Sequence, residues 1–482
     1  MRTKQNHSTL IPNRAWLILT VMVTIILASC TSGTESLQVE TPEVTETVSP
    51  ARLSSPTPTP DVTPTQETPV HLKVQADDLA GIVVRFVHPW MGPMAEALEA
   101  AATQFSLSNE WDIWVEVEAP GSDSALLESL QTDIDSGDVP GLIATYPYLL
   151  ETLDGQLFSV NLTDYFYDPE WGVGAEALGD IPPVYLEQFT SGGHLVALPV
   201  APQATVLFYN QTWGEELGFA SPPTDERDFR KQNCEAVFAN NEDRDEDNDG
   251  MGGWVINFDP DVLASWYYSF GGELPITGVP EFNTEAGQTA FGYLKSVSDQ
   301  GCFWIGRRPE PNFYFANRYA LTFAGTLDQI PTQMSWMAEA ENEDVWTVMG
   351  FPGMAGETML IDGPGLMLTA DAPENQMAAW LFARYLLTPE VQADLVRSGF
   401  SLPVRQSSMA LLVGFATDYP QWAQAASMIE DAHAVPISEG WGIGQWVLQD
   451  AFYRLLQSET DQLPMILQEL DDMIFELEGM GP

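Results

Sequence analysis

The stretch VRFVHPWMGPMAEALEAAATQF, residues 84–105, begins as a short apolar run and ends as an alanine-rich amphipathic segment, with Trp90 flanked by Pro89 and Pro93 at the junction. Residues 82–87 (IVVRFV) read as a strand and 93–105 as a helix. The same alternation continues downstream. IWVEVEA (113–119) is a second strand, SALLESLQTDIDSG (124–137) a second helix and GLIATY (141–146) a third strand. Alternation of this kind predicts an α/β fold with a largely parallel sheet and helices on both faces. Ligands of such sheets sit at the carboxyl ends of the strands. Trp90, Tyr146 and Tyr148 all fall just past strand ends, which makes them candidate ligand contacts, with core packing as the alternative for each.

Upstream of this region the chain changes character twice. Residues 1–30 carry Arg2, Lys4 and Arg14, no acid, and then the apolar run AWLILTVMVTIILASC, so they read as a signal peptide, with an uncleaved signal anchor as the alternative. Its last four residues, LASC, resemble the lipobox of bacterial lipoproteins, which would make Cys30 the lipidated mature N-terminus. Residues 31–80 are rich in Thr, Pro, Ser and Glu and have little to bury, so they read as an extended tether. At ~3 Å per residue such a tether would reach on the order of 100 Å. The expected location is the outer face of a cell membrane.

The chain holds 18 basic and 69 acidic residues, a formal net charge of −51, which excludes nucleic acid and anionic lipid faces as partners by repulsion. With Cys30 lipidated, Cys234 and Cys302 remain in an oxidising compartment and are expected to pair, two buried free thiols being the alternative.

Four stretches together carry a family resemblance: FVHPWMGPMAEALEAAATQF (86–105), LQTDIDSGDVPGLIATYPY (130–148), LVALPVAPQATVLFYNQTWGEELGFASPPT (195–224) and FARYLLTPEVQADLVRSGFSLPVR (382–405). They resemble the extracellular solute-binding proteins of ABC importers, family 1, the maltose-binding-protein-like group, over about residues 81–482. The resemblance implies two α/β lobes joined by a hinge of two or three strands. Lobe one would hold 81–200 and 365–403, and lobe two 201–364 and 404–482. The crossings would lie near Pro199 to Gln203, in IDGPGLML (361–368) and in SLPVR (401–405), each with Gly or Pro where a hinge absorbs backbone change. It further implies a carbohydrate ligand, membrane permease subunits as partners, a monomer, no cofactor and no catalysis. Two stretches depart from the group's pattern. TDERDFRKQNCEAV (224–237) replaces the usual segment after the prolines, and Thr326 and Leu327 follow TFAG where sugar binders often have Trp.

A sugar offers apolar C–H faces and a rim of hydroxyls, so its pocket needs aromatic rings and amide or carboxylate side chains. By resemblance Gln203 takes the place of a polar ligand-contacting side chain near the hinge. The C-terminal segment SEGWGIGQWVLQDAFYRLL (438–456) occupies the region that presents an aromatic to the ligand, through Trp441 or Trp446. Trp266, in DVLASWYYSFGG (261–272), reads either as a cleft residue or as core. Arg307 and Arg308 could meet an anionic ligand, or offset local carboxylates. Asp245, Asp247 and Asp249 before Gly250 have the spacing that opens a calcium loop, but the twelfth position is Ile256, with Asp259 beyond it, and a solvated acidic turn is the alternative. No GxSxG, HExxH or P-loop is present, and His71, His88, His194 and His433 are far apart in the chain. The competing functional readings are a surface glycan-binding or glycan-cleaving lipoprotein, and the same fold binding a sugar phosphate or peptide.

Overall fold

The computed structural model describes residues 72–146, 149, 157, 160–244, 251–275, 278–306, 311–436 and 438–479. The expected signal peptide, Cys30, most of the expected tether, Tyr148, the Asp245, Asp247 and Asp249 loop, and the Arg307 and Arg308 pair lie outside these residues.

The opening stretch folds as its pattern demands. The strand Val83–Val87 pairs in parallel with Trp114–Glu118 on one side and with Leu142–Thr145 on the other. Between the first two strands runs the helix Gly92–Ser108, which buries Met94, Leu98, Ala101, Ala102 and Phe105 along one face. Pro93 sits at its start, where a missing N–H costs nothing, and Gly92 at φ +59 supplies the left-handed turn after Met91. The helix Asp123–Ser136 follows the second strand, with Ser122 as its cap and Gly137 at its end in the left-handed region.

Two further strands complete this sheet in the order Trp114–Glu118, Val83–Val87, Leu142–Thr145, Gly365–Leu368, Leu198–Pro199. Gly365–Leu368 runs antiparallel to both of its neighbours. The second sheet is centred on Gln203–Asn210, a strand buried at seven of its eight positions. Its order is His433–Ala434, Leu360–Asp362, Gln203–Asn210, Thr322–Thr326, Trp254–Ile256, Phe303–Ile305, and Trp346–Met349 also pairs with the central strand.

The apolar run 192–210 therefore breaks at its two prolines. Leu198–Pro199 belongs to one sheet, Gln203–Asn210 to the other, and the link carrying Pro202 joins them. The chain returns between Asp362 and Gly365 through Gly363, whose φ of +157 suits glycine. These crossings explain where the expected parallel sheet fails. The outer strands of each lobe pair in parallel, but a strand leaving for one lobe and a strand coming back lie antiparallel.

Two boundaries differ from the resemblance. Leu72, Val74 and Leu79 are buried, so the packed body starts before residue 81. Three apolar side chains in an otherwise polar segment suffice to dock it on the helix Pro373–Leu386. Residues 404–411, expected in lobe two, stay with lobe one. Val404 donates its N–H to Gln392 Oε1, and Arg405 Nε sits 2.7 Å from Asp180 Oδ2. The turn Gln406–Leu411 packs on Pro389–Gly399, and Pro420–Ala426 packs against the second sheet at Trp346–Met349.

The second lobe has its own aromatic core, in which Phe229, Trp254, Trp266 and Phe351 pack edge to face or tilted at 5.1–5.6 Å between centroids. The paired helices Glu439–Leu456 and Leu463–Glu478 cover the helices Pro260–Ser269 and Glu285–Asp299 of this lobe. Cys234, on the helix Glu226–Glu242, is disulfide-bonded to Cys302 with Cα atoms 4.5 Å apart. Among the described residues no helix is long and apolar enough to cross a membrane.

Candidate functional site

A cavity of about 380 Å³ opens between the two sheets, and its wall is built from strand ends. The first lobe contributes Pro89 and Trp90 after Val83–Val87, Ser122 and Asp123 after Trp114–Glu118, and Tyr146 after Leu142–Thr145. The second contributes Asp261 beyond Trp254–Ile256, and Thr326 and Asp328 at the end of Thr322–Thr326. The floor is the hinge itself: Ala201, Gln203 and Thr205 on the outward crossing, Asp362, Gly363 and Pro364 on the return. Every contributing strand outside the hinge presents its carboxyl end, where helix N-termini and strand-to-helix loops gather in open α/β sheets.

Trp90, Tyr146 and Gln203 are thus brought to one wall, having been 56 and 57 positions apart in the chain. Trp90 is half-buried, its ring 5.6 Å from that of His88. His88 is fully buried with neither ring nitrogen hydrogen-bonded, and burial lowers its pKa to about 4, so it is a neutral support behind the tryptophan. Gln203 donates Nε2–H to the Gly399 carbonyl at 2.9 Å, while its Oε1 meets no donor. Tyr146 donates its hydroxyl to Asp362.

The tryptophans of the second lobe are elsewhere. Trp266 is 0% exposed and Trp441 1% exposed, both in the lobe's apolar core rather than at the cleft. The reason is burial of the whole helix: every residue from Val262 to Ser269 is buried inside the lobe, and only the start of Pro260–Ser269 reaches the cavity. Trp441 turns inward just after the Ser438 cap of its helix. Trp446 is 69% exposed and does not line the cavity, because five residues on from Trp441 it lies on the outer face of the same helix. Asp259, considered above as a late calcium ligand, caps Pro260–Ser269 by accepting the Asp261 N–H at 2.9 Å. Among the described residues no three His, Cys, Asp or Glu side chains are grouped to hold a metal.

The feature that sequence reading missed is the charge of the wall. Asp123, Asp261, Asp328 and Asp362 all line the cavity, and no lining residue is basic. None of the four is ion-paired among the described residues. Burial raises the pKa of Asp123 and Asp259. Burial raises Asp261 further, well above its ordinary value, aided by the charges of Asp362 and Asp259. Asp362 is pushed up to about 6, by burial first and then by the charges of Asp259 and Asp123, against the Gly363 N–H and Tyr146 hydroxyl that favour its ionised form. Gln188, from the first lobe, also donates to Asp362 Oδ1 at 3.3 Å. The one available signal was position: Asp123 and Asp261 open helices and Asp362 precedes a hinge glycine. An acid at a helix start reads as dipole compensation, and with 69 acids in the chain nothing singles these out.

Comparison with known proteins follows the same lines. The profile of a family described as "Bacterial extracellular solute-binding protein" matches residues 100–426. A comparison with curated proteins finds no match. Among solved structures, the fold is similar to that of a cyclic alpha-maltosyl-1,6-maltose binding protein from Arthrobacter globiformis, with a TM-score of 0.68 at 17% identity over 82% of this chain and 98% of that one. It is similar to the sugar-binding protein MalE from Xanthomonas citri, with a TM-score of 0.67 at 18% identity over 83% and 98%. UgpB from Mycobacterium tuberculosis, solved in complex with glycerophosphocholine, matches with a TM-score of 0.62 at 16% identity over 81% and 98%.

Proposed function

This chain belongs to the bacterial extracellular solute-binding protein family, and from that premise we propose that it captures a carbohydrate between its two lobes and delivers it to the membrane subunits of an ABC importer. The observation that carries the reading is the composition of the cavity wall. Trp90 and Tyr146 offer ring faces to the apolar side of a sugar, and Gln203, Thr205 and the four aspartates offer acceptors to its hydroxyls. Similar structures named for saccharide ligands support it. Because the wall is shared by two lobes and a hinge, ligand contacts that form only when the lobes approach would favour the closed state, and their differential affinity sets the switch. No bond is made or broken in this reading. Lipidation at Cys30 would hold the body to the membrane on the Thr- and Pro-rich tether, as a monomer.

The test is a thermal-unfolding and tryptophan-fluorescence screen of the full-length chain, in detergent for its apolar N-terminal run, against mono- and oligosaccharides, sugar phosphates and short peptides. A ligand that binds the native state raises the melting temperature. A saccharide that does so, and that Trp90→Ala no longer recognises, is the expected outcome. A shift from peptides or phosphates alone overturns the carbohydrate class.

A further inference from the structure

The wall of the cleft is one-sided in a way that a neutral sugar does not explain. Its unmet polar atoms are acceptors or hydroxyls. Among the described residues the Asp261 carboxylate receives no hydrogen bond, and Asp123 Oδ1 and Gln203 Oε1 are buried without a donor. Thr205, only 4% exposed, lines the cavity with a hydroxyl that has no partner among the described residues. The helix N-termini at Asp123 and Pro260 would, if bare, favour an anion, but each carries its own carboxylate in the first turn. A sugar hydroxyl can donate to these oxygens, yet it leaves the mutual repulsion of the carboxylates in place. A cation removes it.

We propose that the solute taken by this cleft carries a protonated amine, an amine-bearing saccharide whose ammonium group lies between Asp261 and Asp362 while its apolar face rests on Trp90. This rests on the solute-capture reading above and narrows its ligand class. Three ammonium N–H donors match the unmet acceptors in kind, and the chain's net charge of −51 draws cations toward the cleft. The amine could equally belong to an aliphatic polyamine, and the experiment separates the two sources.

Titration calorimetry on the full-length chain in detergent, at pH 7.5 and low salt, compares a glucosamine trimer, its N-acetylated counterpart, maltotriose and spermidine. The glucosamine trimer should bind on the order of 100-fold more tightly than either neutral saccharide. Asp261→Asn and Asp362→Asn should each cut that affinity by at least about tenfold, a larger factor than the same variants cost the neutral sugars, which lose only one acceptor. The dependence on pH also separates the two classes. The titratable groups lining the cavity are Asp123, Asp261, Asp328, Asp362 and Tyr146, with Asp259 beside Asp261, and acidification through about pH 6 neutralises Asp362, weakening the amine more than the neutral sugars. Equal affinity for the acetylated trimer or maltotriose overturns the amine and leaves the carbohydrate reading intact. Spermidine binding more tightly than any saccharide keeps the amine and overturns the carbohydrate. Silence from both amines, in a chain that still unfolds cooperatively, overturns the proposal.

Discussion

Replacing Asp362 by asparagine should stabilise the ligand-free protein at neutral pH, which is the reverse of the usual result for a buried hydrogen-bonded residue. In the native state its pKa is about 6 against an ordinary 3.8. At 1.36 kcal/mol per tenfold change in proton affinity, keeping the group ionised costs about 3 kcal/mol above pH 7. The direction follows from linkage. The native state binds the proton more tightly, so the favourable contribution is full below about pH 4 and is lost as pH rises through 6. Asparagine removes the charge and keeps one carbonyl oxygen for the Tyr146 hydroxyl or the Gln188 amide. It gives up one acceptor, at about 1 kcal/mol. The net gain should therefore be about 1–2 kcal/mol at pH 7.5, shrinking as pH falls and closing or reversing below about pH 4. Relief of Asp261, whose pKa the Asp362 charge helps to raise, adds to the gain. Urea unfolding of both proteins at pH 7.5, 6, 5 and 4 measures it. A destabilised variant at pH 7.5, or a gap that does not move with pH, would refute the reasoning.

Other substitutions separate the cleft from the core. Trp90→Ala should weaken saccharide binding by roughly tenfold or more with little effect on stability, since the ring is only half-buried; fluorescence titration and urea midpoints read the two effects separately. Trp266→Ala should do the opposite, costing about 3–5 kcal/mol through a cavity in the second lobe's core, and equal stability to the parent in urea would show that the indole is not packed there. Trp446→Gln should change neither quantity measurably; a loss of affinity would return that residue to the site. Breaking the Cys234–Cys302 bond, which spans 68 positions, should lower stability by about 4 kcal/mol in the chain-entropy picture, read as a shift of the urea midpoint in the double serine variant.

Periodicity and punctuation made much of this molecule legible. The run 82–105 alternates and then repeats on a helical face, Pro93 and Gly92 mark the turn, and the fold there follows from local chemistry alone. Pro199 and Pro202 stand at the break between the two sheets, where the resemblance placed a crossing and where a central strand could not contain them. The helical tryptophans were not legible. Trp266, Trp441 and Trp446 have the same chemistry, and whether such a ring faces solvent, core or cleft depends on its position around the helix and on what that helix packs against.

The sequence by itself determined the α/β class, the places where strands end and the aromatic Trp90 and Tyr146 at two of those ends, since these depend on short-range pattern; the two lobes were implied by its resemblance to a known family. Only the tertiary structure decided the electrostatics of the cleft. Asp123, Asp261, Asp328 and Asp362 come from both lobes and the hinge and lie up to 239 positions apart. The interaction of charges depends on their separation in space and on burial. Neither quantity has a local signature in a chain where acids are found throughout.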